Sequence, residues 1–395
     1  MPDQPSDTIG KIGLTPSLRS QIAPFIVMDV MRSANAKAAA GEDIVHMEVG
    51  QPGTPAPRLV REAAKRAIDA GTLGYTDALG LPALRERIAR YYADNWGLEI
   101  SPSRIVVTTG SSAGFLLAFL ALLGPGDGVA LPQPGYPCYS QIAKVLGLTP
   151  VELPARAPDG FAVGNRALSE VLESGKARAT LLASPANPTG TILPAESLRD
   201  IVRIADNFRA WFISDEIYHG LTYGRPEATA LSCSENAIVI NSFSKYFSMT
   251  GWRIGWMVVP ERLTRVFERL SQNLYISPPH ISQAAAIAAF DATEELEAYK
   301  AVYARNREML LNELPRAGID KFAPADGAFY LYADISAYTE DSVEFARLML
   351  DKTGVAATPG VDFDREEGHN FLRFSYSGTF DAMREAAKRL RNWRK

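Results

Sequence analysis

The stretch 241–256 reads NSFSKYFSMTGWRIGW. It is approached by Ala237-Ile-Val-Ile240, an apolar, β-branched run of the kind that forms a buried strand. Lys245 stands just past the end of that run, with Ser242 and Ser244 before it and Arg253 after it. An ammonium group at a buried strand end is costly to desolvate and tends to lose its proton. The neutral amine is then a nucleophile, above all in a Schiff base. Nearby hydroxyls and a guanidinium suit a phosphate. An amine that condenses with an aldehyde beside a phosphate site points to pyridoxal 5′-phosphate.

The chain has 395 residues, enough for roughly two to three domain-sized cores. With 47% apolar and 22% charged residues, its composition is ordinary for a soluble globular protein. The net charge is −4 and no Lys/Arg stripe forms, so nucleic-acid binding has no compositional support. The basic terminal RLRNWRK lies on a helical pattern and reads as a solvated helix end. Cys138 and Cys233 sit in no metal or redox spacing, and His46, His219, His280 and His369 form no ligand pair. All six are assigned to structure, and no metal is expected, with His280 a marginal candidate for a pocket. The first residues, MPDQPSDTIG, lack a signal pattern, and the longest apolar run, 115–123, is too short to span a bilayer. A cytoplasmic protein is expected, with no membrane partner.

Apolar spacing predicts helices over 19–40, 58–70 and 82–96, with a strand at 44–49. From residue 104 the rhythm becomes strand, turn, helix. Strands are expected at 105–109, 129–131, 179–183, 211–214, 237–240 and 254–259, and helices at 113–123, 139–146, 193–207 and 260–272. Such alternation predicts an α/β fold: a large domain with a mostly parallel sheet covered by helices on both faces. Beyond Pro278-Pro279 the pattern turns to α+β, with its own core. The expected division is an N-terminal arm and part of a small domain over 1–49, a large cofactor-binding domain over 50–279, and a small C-terminal domain over 280–395. Ligands in such sheets gather at the carboxyl ends of the strands, where the unusual polar residues lie.

Asp215 ends the apolar run Trp211-Phe-Ile-Ser, with Glu216 beside it and Tyr218 just after. A buried carboxylate needs a cationic partner. A protonated pyridine nitrogen would serve, but so would an N-cap or an ion pair between domains. Asn187, in Ser184-Pro-Ala-Asn-Pro-Thr-Gly190, could donate to a phenolate oxygen or mark a plain proline turn. Gly110-Ser111-Ser112 joins a strand to a helix, which makes either an anion site or a simple N-cap. It matches no glycine-rich nucleotide fingerprint. Tyr136, in Pro134-Gly-Tyr-Pro-Cys-Tyr139, could stack on a flat ring or fill core. Arg373, in Phe371-Leu-Arg-Phe-Ser375, wants a carboxylate to grip with two hydrogen bonds, or else sits on a solvated sheet face.

In their order along the chain these blocks resemble the fold-type I aminotransferases of class I, pyridoxal-phosphate enzymes related to aspartate aminotransferase. The resemblance runs over about 22–389, most specifically through Ser242-Phe-Ser-Lys245 and Thr250-Gly-Trp-Arg253-Ile-Gly, preceded by Asn187-Pro-Thr-Gly and Asp215-Glu-Ile-Tyr218. It implies that Lys245 forms the internal aldimine and moves the proton. Asp215 pairs with the pyridine nitrogen, while Tyr218 and Asn187 hold the phenolic oxygen. Tyr136 stacks on the ring, and Ser111, Ser112, Ser242, Ser244 and Arg253 form the phosphate cup. Tyr75, in Tyr75-Thr-Asp-Ala-Leu-Gly80, matches the tyrosine that reaches the neighbouring subunit's phosphate, which implies a homodimer with shared sites. Gly50 matches the glycine of the substrate loop, and Arg373 the arginine that takes the substrate α-carboxylate.

The implied activity moves the amino group of an L-amino acid to a 2-oxo acid such as 2-oxoglutarate. Where relatives acting on dicarboxylates place an extra cation, this chain has Gln272 or Ser112. Phe25 and Ile26 could instead present an apolar wall, so neutral or aromatic donors are expected. A pyridoxal-phosphate C–S β-lyase would share the lysine, aspartate and arginine. A non-catalytic regulator would need a DNA-binding module ahead of the first helix, and few residues stand there.

Overall fold

The structure, a computed structural model, describes residues 15–393. The polar start of the sequence leads one to expect a loose N-terminus until about Ser17; residues 1–14 of it lie outside the described residues, as do the last two of the basic terminus. Among the described residues there are twelve strands: β1 (Val45–His46), β2 (Ile105–Thr108), β3 (Gly128–Gln133), β4 (Thr149–Pro154), β5 (Ala179–Ala183), β6 (Trp211–Asp215), β7 (Ile238–Ser242), β8 (Gly255–Val258), β9 (Tyr330–Asp334), β10 (Val355–Ala356), β11 (Thr358–Pro359) and β12 (Phe371–Ser375).

Seven of them form one sheet in the order β2-β8-β7-β6-β5-β3-β4. Every pairing is parallel except those of β8, which runs antiparallel to both β2 and β7. The central strands are buried along their whole length, as a sheet covered on both faces requires. β4 carries no sequence signal because it is an edge strand holding Pro150 and Pro154, half exposed, and proline is tolerated at an edge. The helix Asn165–Glu173 that follows it also had no expected counterpart. A smaller antiparallel sheet, β11-β12-β9, and the parallel pair β1-β10 make up the second part. β1 thus brings the N-terminal segment onto the C-terminal one.

Helices at Arg58–Asp69 and Pro82–Trp96 fall where the periodicity places them. The expected helix over 19–40 begins only at Ile26. Pro24 offers no N–H, and Phe25 is extended, which breaks the helical path. The expected strand over 44–49 shrinks to two residues. Past them the backbone carbonyls of Glu48 and Gly50 accept from Arg373 and Lys245 instead of from a neighbouring strand. The expected division at residue 280 does not follow the packing. The helix His280–Ala289 lies on Arg58–Asp69 and shares the large-sheet core through Ala285, Ala286 and Ala289. Past residue 280 the chain first enters the second core within the helix Thr293–Glu313, through Tyr303 and Leu310, joining Val45, Met47, Tyr218 and Leu221 there.

Candidate active site

All parallel strands of the large sheet end at one edge, and their loops meet there. β2 leads into Gly110-Ser111-Ser112, β3 into Tyr136, β5 into Asn187, β6 into Asp215, and β7 into Ser242-Phe-Ser-Lys245. Because β8 runs the other way, its start lies at the same edge and brings Arg253 with it. A cavity of about 210 Å³ opens at this edge. Gly50, Ser111, Ser112, Tyr136, Asn187, Asp215, Tyr218, Ser244, Lys245, Arg253 and Arg373 line it.

Lys245 is at the centre. Its Nζ donates to the Gly50 carbonyl at 2.6 Å and sits 5.7 Å from the Tyr218 ring. Burial, then repulsion from Arg373 and Arg253, lowers its pKa to about 8, although Asp215 pulls the other way. Asp215 closes the far side. Its Oδ2 accepts from the Tyr139 hydroxyl and its Oδ1 from the Ile217 N–H at 3.1 Å. Burial drives its pKa up to about 7 against both hydrogen bonds. Among the described residues no cation forms an ion pair with it, so a buried carboxylate is left facing the cavity. Glu216 points away, accepting from Ser214 Oγ, Thr229 Oγ1 and the Ala230 N–H.

At the anion end, Ser111 opens the helix Ser111–Leu122, whose first amides face outward from Gly110 at φ 75°. The Arg253 guanidinium lies against Gly110, where a Cβ would stand 2.5 Å from Nη2. Arg253 itself takes the left-handed conformation, φ 50°, and donates to the Thr250 carbonyl at 3.0 Å. Ser242 lies off the cavity. Its hydroxyl donates to the Ile254 carbonyl and accepts from the Ser244 N–H at 3.0 Å, which shapes the loop before Lys245.

Arg373 is 2% exposed, so it is no solvated-face arginine. It donates to Asn187 Oδ1 at 2.9 Å and to the Glu48 carbonyl at 2.5 Å, and lies 4.4 Å from the Tyr330 ring. Among the described residues its Nε finds no hydrogen-bond partner. A buried arginine with a free N–H fits a carboxylate that enters the cavity.

Two tyrosines join the site without a clear sequence signal. Tyr139 binds Asp215; it follows Tyr136 by one helical turn, and that spacing alone could have marked it. Tyr330 shares a 2.7 Å hydrogen bond with Tyr218, on a strand buried on both faces where alternation says nothing. Phe25, Val27 and Met28 from the N-terminal helix region complete the wall, whereas Ile26 faces elsewhere. Tyr75 is 83% exposed and does not line the cavity. His280 bonds the Gly74 carbonyl at 3.1 Å, also outside it. Among the described residues no group of His, Cys, Asp and Glu could hold a metal, and no helix is long and apolar enough to cross a membrane.

The donor set fits pyridoxal phosphate. The buried, cation-free Asp215 matches a pyridinium, the amine of Lys245 an aldehyde, and the helix start with Arg253 a phosphate held where Gly110 leaves room. Comparison with known proteins agrees. The model of the family described as aminotransferase class I and II matches residues 42–390. The valine–pyruvate aminotransferase of Mycobacterium tuberculosis is 46% identical over 381 residues, 95% of this chain and 98% of the relative. The (5-formylfuran-3-yl)methyl phosphate transaminase of Methanocaldococcus jannaschii is 34% identical over 374 residues, 93% of this chain and 96% of that one. A crystal structure of an aminotransferase from Mycobacterium tuberculosis superposes with a TM-score of 0.94 at 46% identity, covering 96% of this chain and 98% of that one. The chain belongs to the aminotransferase class I and II family and is a pyridoxal-phosphate-dependent aminotransferase of fold type I, acting on amino acids and 2-oxo acids.

Proposed function

We propose that the protein transfers the amino group of a neutral or aromatic L-amino acid to a 2-oxo acid such as 2-oxoglutarate, with pyridoxal phosphate held on Lys245. The observation that carries this reading is the placement of a buried amine of pKa about 8 between a cation-free carboxylate and a buried arginine. When bound, the cofactor supplies an electron sink for the charge that develops at the donor Cα. Asp215 would hold its pyridine N–H. Tyr218 Oη and Asn187 Nδ2 would donate to its phenolic oxygen; Asn187 Oδ1 is already taken by Arg373. Tyr136 would lie along its ring, and the Ser111 and Ser112 amides, Ser244 and Arg253 would bind its phosphate, with Ser242 shaping that loop.

Lys245 Nζ accepts the proton from the donor Cα and carries it on its own nitrogen, staying within reach because it is tethered. Its lowered pKa suits it to that task near neutrality. Arg373 grips the α-carboxylate, and Gly50 lets its loop lie close against the Tyr330 hydroxyl, where a Cβ would collide. The side chain of the donor is then directed to Phe25, Val27 and Met28. Among the described residues no cation besides Lys245, Arg253 and Arg373 lines the cavity, and Gln272 lines a separate hollow with Thr76 and Arg85. Those residues therefore offer no dedicated partner for a second carboxylate. That the Mycobacterium tuberculosis relative is named for valine and pyruvate supports an apolar donor.

The exposed Tyr75 is free to reach the phosphate of a second copy, which supports a homodimer with shared sites. That the protein has no nucleic-acid partner is the reading that the acidic charge balance favours. The test is a panel of donors and 2-oxo acids followed at the cofactor absorption band, with borohydride fixing the cofactor to Lys245. Turnover with valine or phenylalanine and loss of the band in Lys245→Ala are expected. A strict preference for aspartate, or pyruvate and ammonia released from cystathionine without a 2-oxo acid, would overturn the proposal.

A further inference from the structure

The segment 361–364, just after β11, touches three parts of the molecule at once. Asp364 accepts from Arg156 Nη1 at 2.7 Å and from Gln133 Nε2 at 2.8 Å, and the Phe363 carbonyl accepts from the Gly135 N–H at 3.0 Å. These contacts hold the segment to the carboxyl edge of the large sheet. The Phe363 ring lies 4.7 Å from the Arg373 guanidinium. Asp362 faces the helix Ile26–Ala39. Its Oδ1 accepts from the Ile26 N–H at 3.0 Å and its Oδ2 from the Val27 N–H at 3.2 Å.

The helix needs that carboxylate. Its own N-cap residue, Phe25, supplies no side-chain hydrogen bond, and the first amides of a helix have no partner within it. The first turn also has a hollow on either side of it, although Val27 itself is buried. Phe25, Val27 and Met28 face the active-site cavity, while Pro24 and Ile26 face a second hollow of about 210 Å³ on the other side. Phe25 meets Tyr136 edge-on at 5.9 Å. The wall thus stands between two hollows; Gln141 Oε1 accepts from the Ala23 N–H at 3.3 Å ahead of the helix, and Asp362 takes the first two helical amides.

We propose that Asp362 is the positioning residue for donor selectivity: by holding the Ile26 and Val27 amides it sets where the apolar wall stands over the donor side chain. The inference rests on the reading of Phe25, Val27 and Met28 as that wall. A large donor gains contact only when the wall is in place. A small donor does not reach it and is indifferent. Because the same segment presses Phe363 on Arg373, the grip on the α-carboxylate and the wall over the side chain share one support.

The test uses the holoenzyme with Asp362→Ala, Asp362→Asn and Phe25→Ala. Each is assayed with valine or phenylalanine and with the smallest donor accepted, and amide exchange over the first helical turn is followed by mass spectrometry. Asp362→Ala should raise KM for the large donor about tenfold, the size of a lost helix cap. It should leave kcat and the small donor's KM within about twofold, and speed exchange at Ile26 and Val27. Asp362→Asn keeps one carbonyl acceptor without the charge and should fall between; it also serves if the alanine variant does not fold. An equal rise in KM for both donors would report a charge lost near Arg373 and overturn the proposal. A change in Phe25→Ala alone would overturn the role of Asp362 and leave the wall standing. No change in either variant would overturn the wall and the proposal with it.

Discussion

Lys245 should be the most reactive lysine of the cofactor-free protein. Burial, Arg373 and Arg253 together lower its pKa from 10.5 to about 8, with Asp215 opposing them. Near pH 7 an amine of pKa about 8 is roughly one-tenth neutral, against about 0.03% for an ordinary lysine, so its nucleophilic fraction is about 300-fold larger. The assay is limited labelling with an amine-directed reagent from about pH 6 to about pH 11. The Lys245 peptide is quantified by mass spectrometry against a free N-acetyl-lysine standard. Its labelling should reach half-maximum near pH 8. Arg373→Leu removes the second-largest lowering cause, so in that variant the midpoint should climb and labelling near neutrality should slow. A midpoint at the ordinary lysine value in the wild type, or a fall in Arg373→Leu, would refute the electrostatic account of the site.

Asp215 carries the opposite shift: burial raises it from 3.8 to about 7, so the folded apoprotein keeps a proton that the unfolded chain releases. Its contribution to stability is complete below 3.8 and is lost as pH rises through about 7. Subtracting the melting profile of Asp215→Asn should expose that decline, and a difference that grows with pH would contradict it. Gly110→Ala combines a backbone at φ 75° with a Cβ 2.5 Å from Arg253 Nη2. Strain of about 1–3 kcal/mol at such a position should weaken cofactor affinity about tenfold or more with the fold intact by circular dichroism; unchanged affinity counts against the anion site. Arg373→Lys loses the two-point grip and should raise KM for every donor about 100-fold, and a KM within a few-fold of wild type would show that the carboxylate binds elsewhere.

The polar residues of the site were legible because each follows an apolar run directly. Asp215 after Trp211-Phe-Ile-Ser, Asn187 after Thr180-Leu-Leu-Ala183 and Lys245 after Ala237-Ile-Val-Ile240 mark strand ends without any three-dimensional information. Alternating strands and helices then place those ends along one edge. Tyr139 and Tyr330 were not legible as site residues. Tyr330 lies on a strand buried on both faces and Tyr139 on a short, partly buried helix, and in both a hydroxyl's target depends on what packs across from it.

Local sequence therefore determined the kind of sheet and which polar residues, Lys245 and Asp215 among them, stand at its strand ends, since both depend on apolar runs and what directly follows them. Tertiary structure decided the rest through contacts between distant segments. The antiparallel course of β8 carries Arg253 back to the edge where Lys245 stands. β1 joins β10, and the carbonyls beyond β1 turn to Arg373 and Lys245. The helix that walls the cavity starts at Ile26, where Pro24 breaks the path and Asp362 takes the open amides. Helical periodicity extends across 19–40 and cannot show this, because the partner that satisfies those amides lies at the other end of the chain.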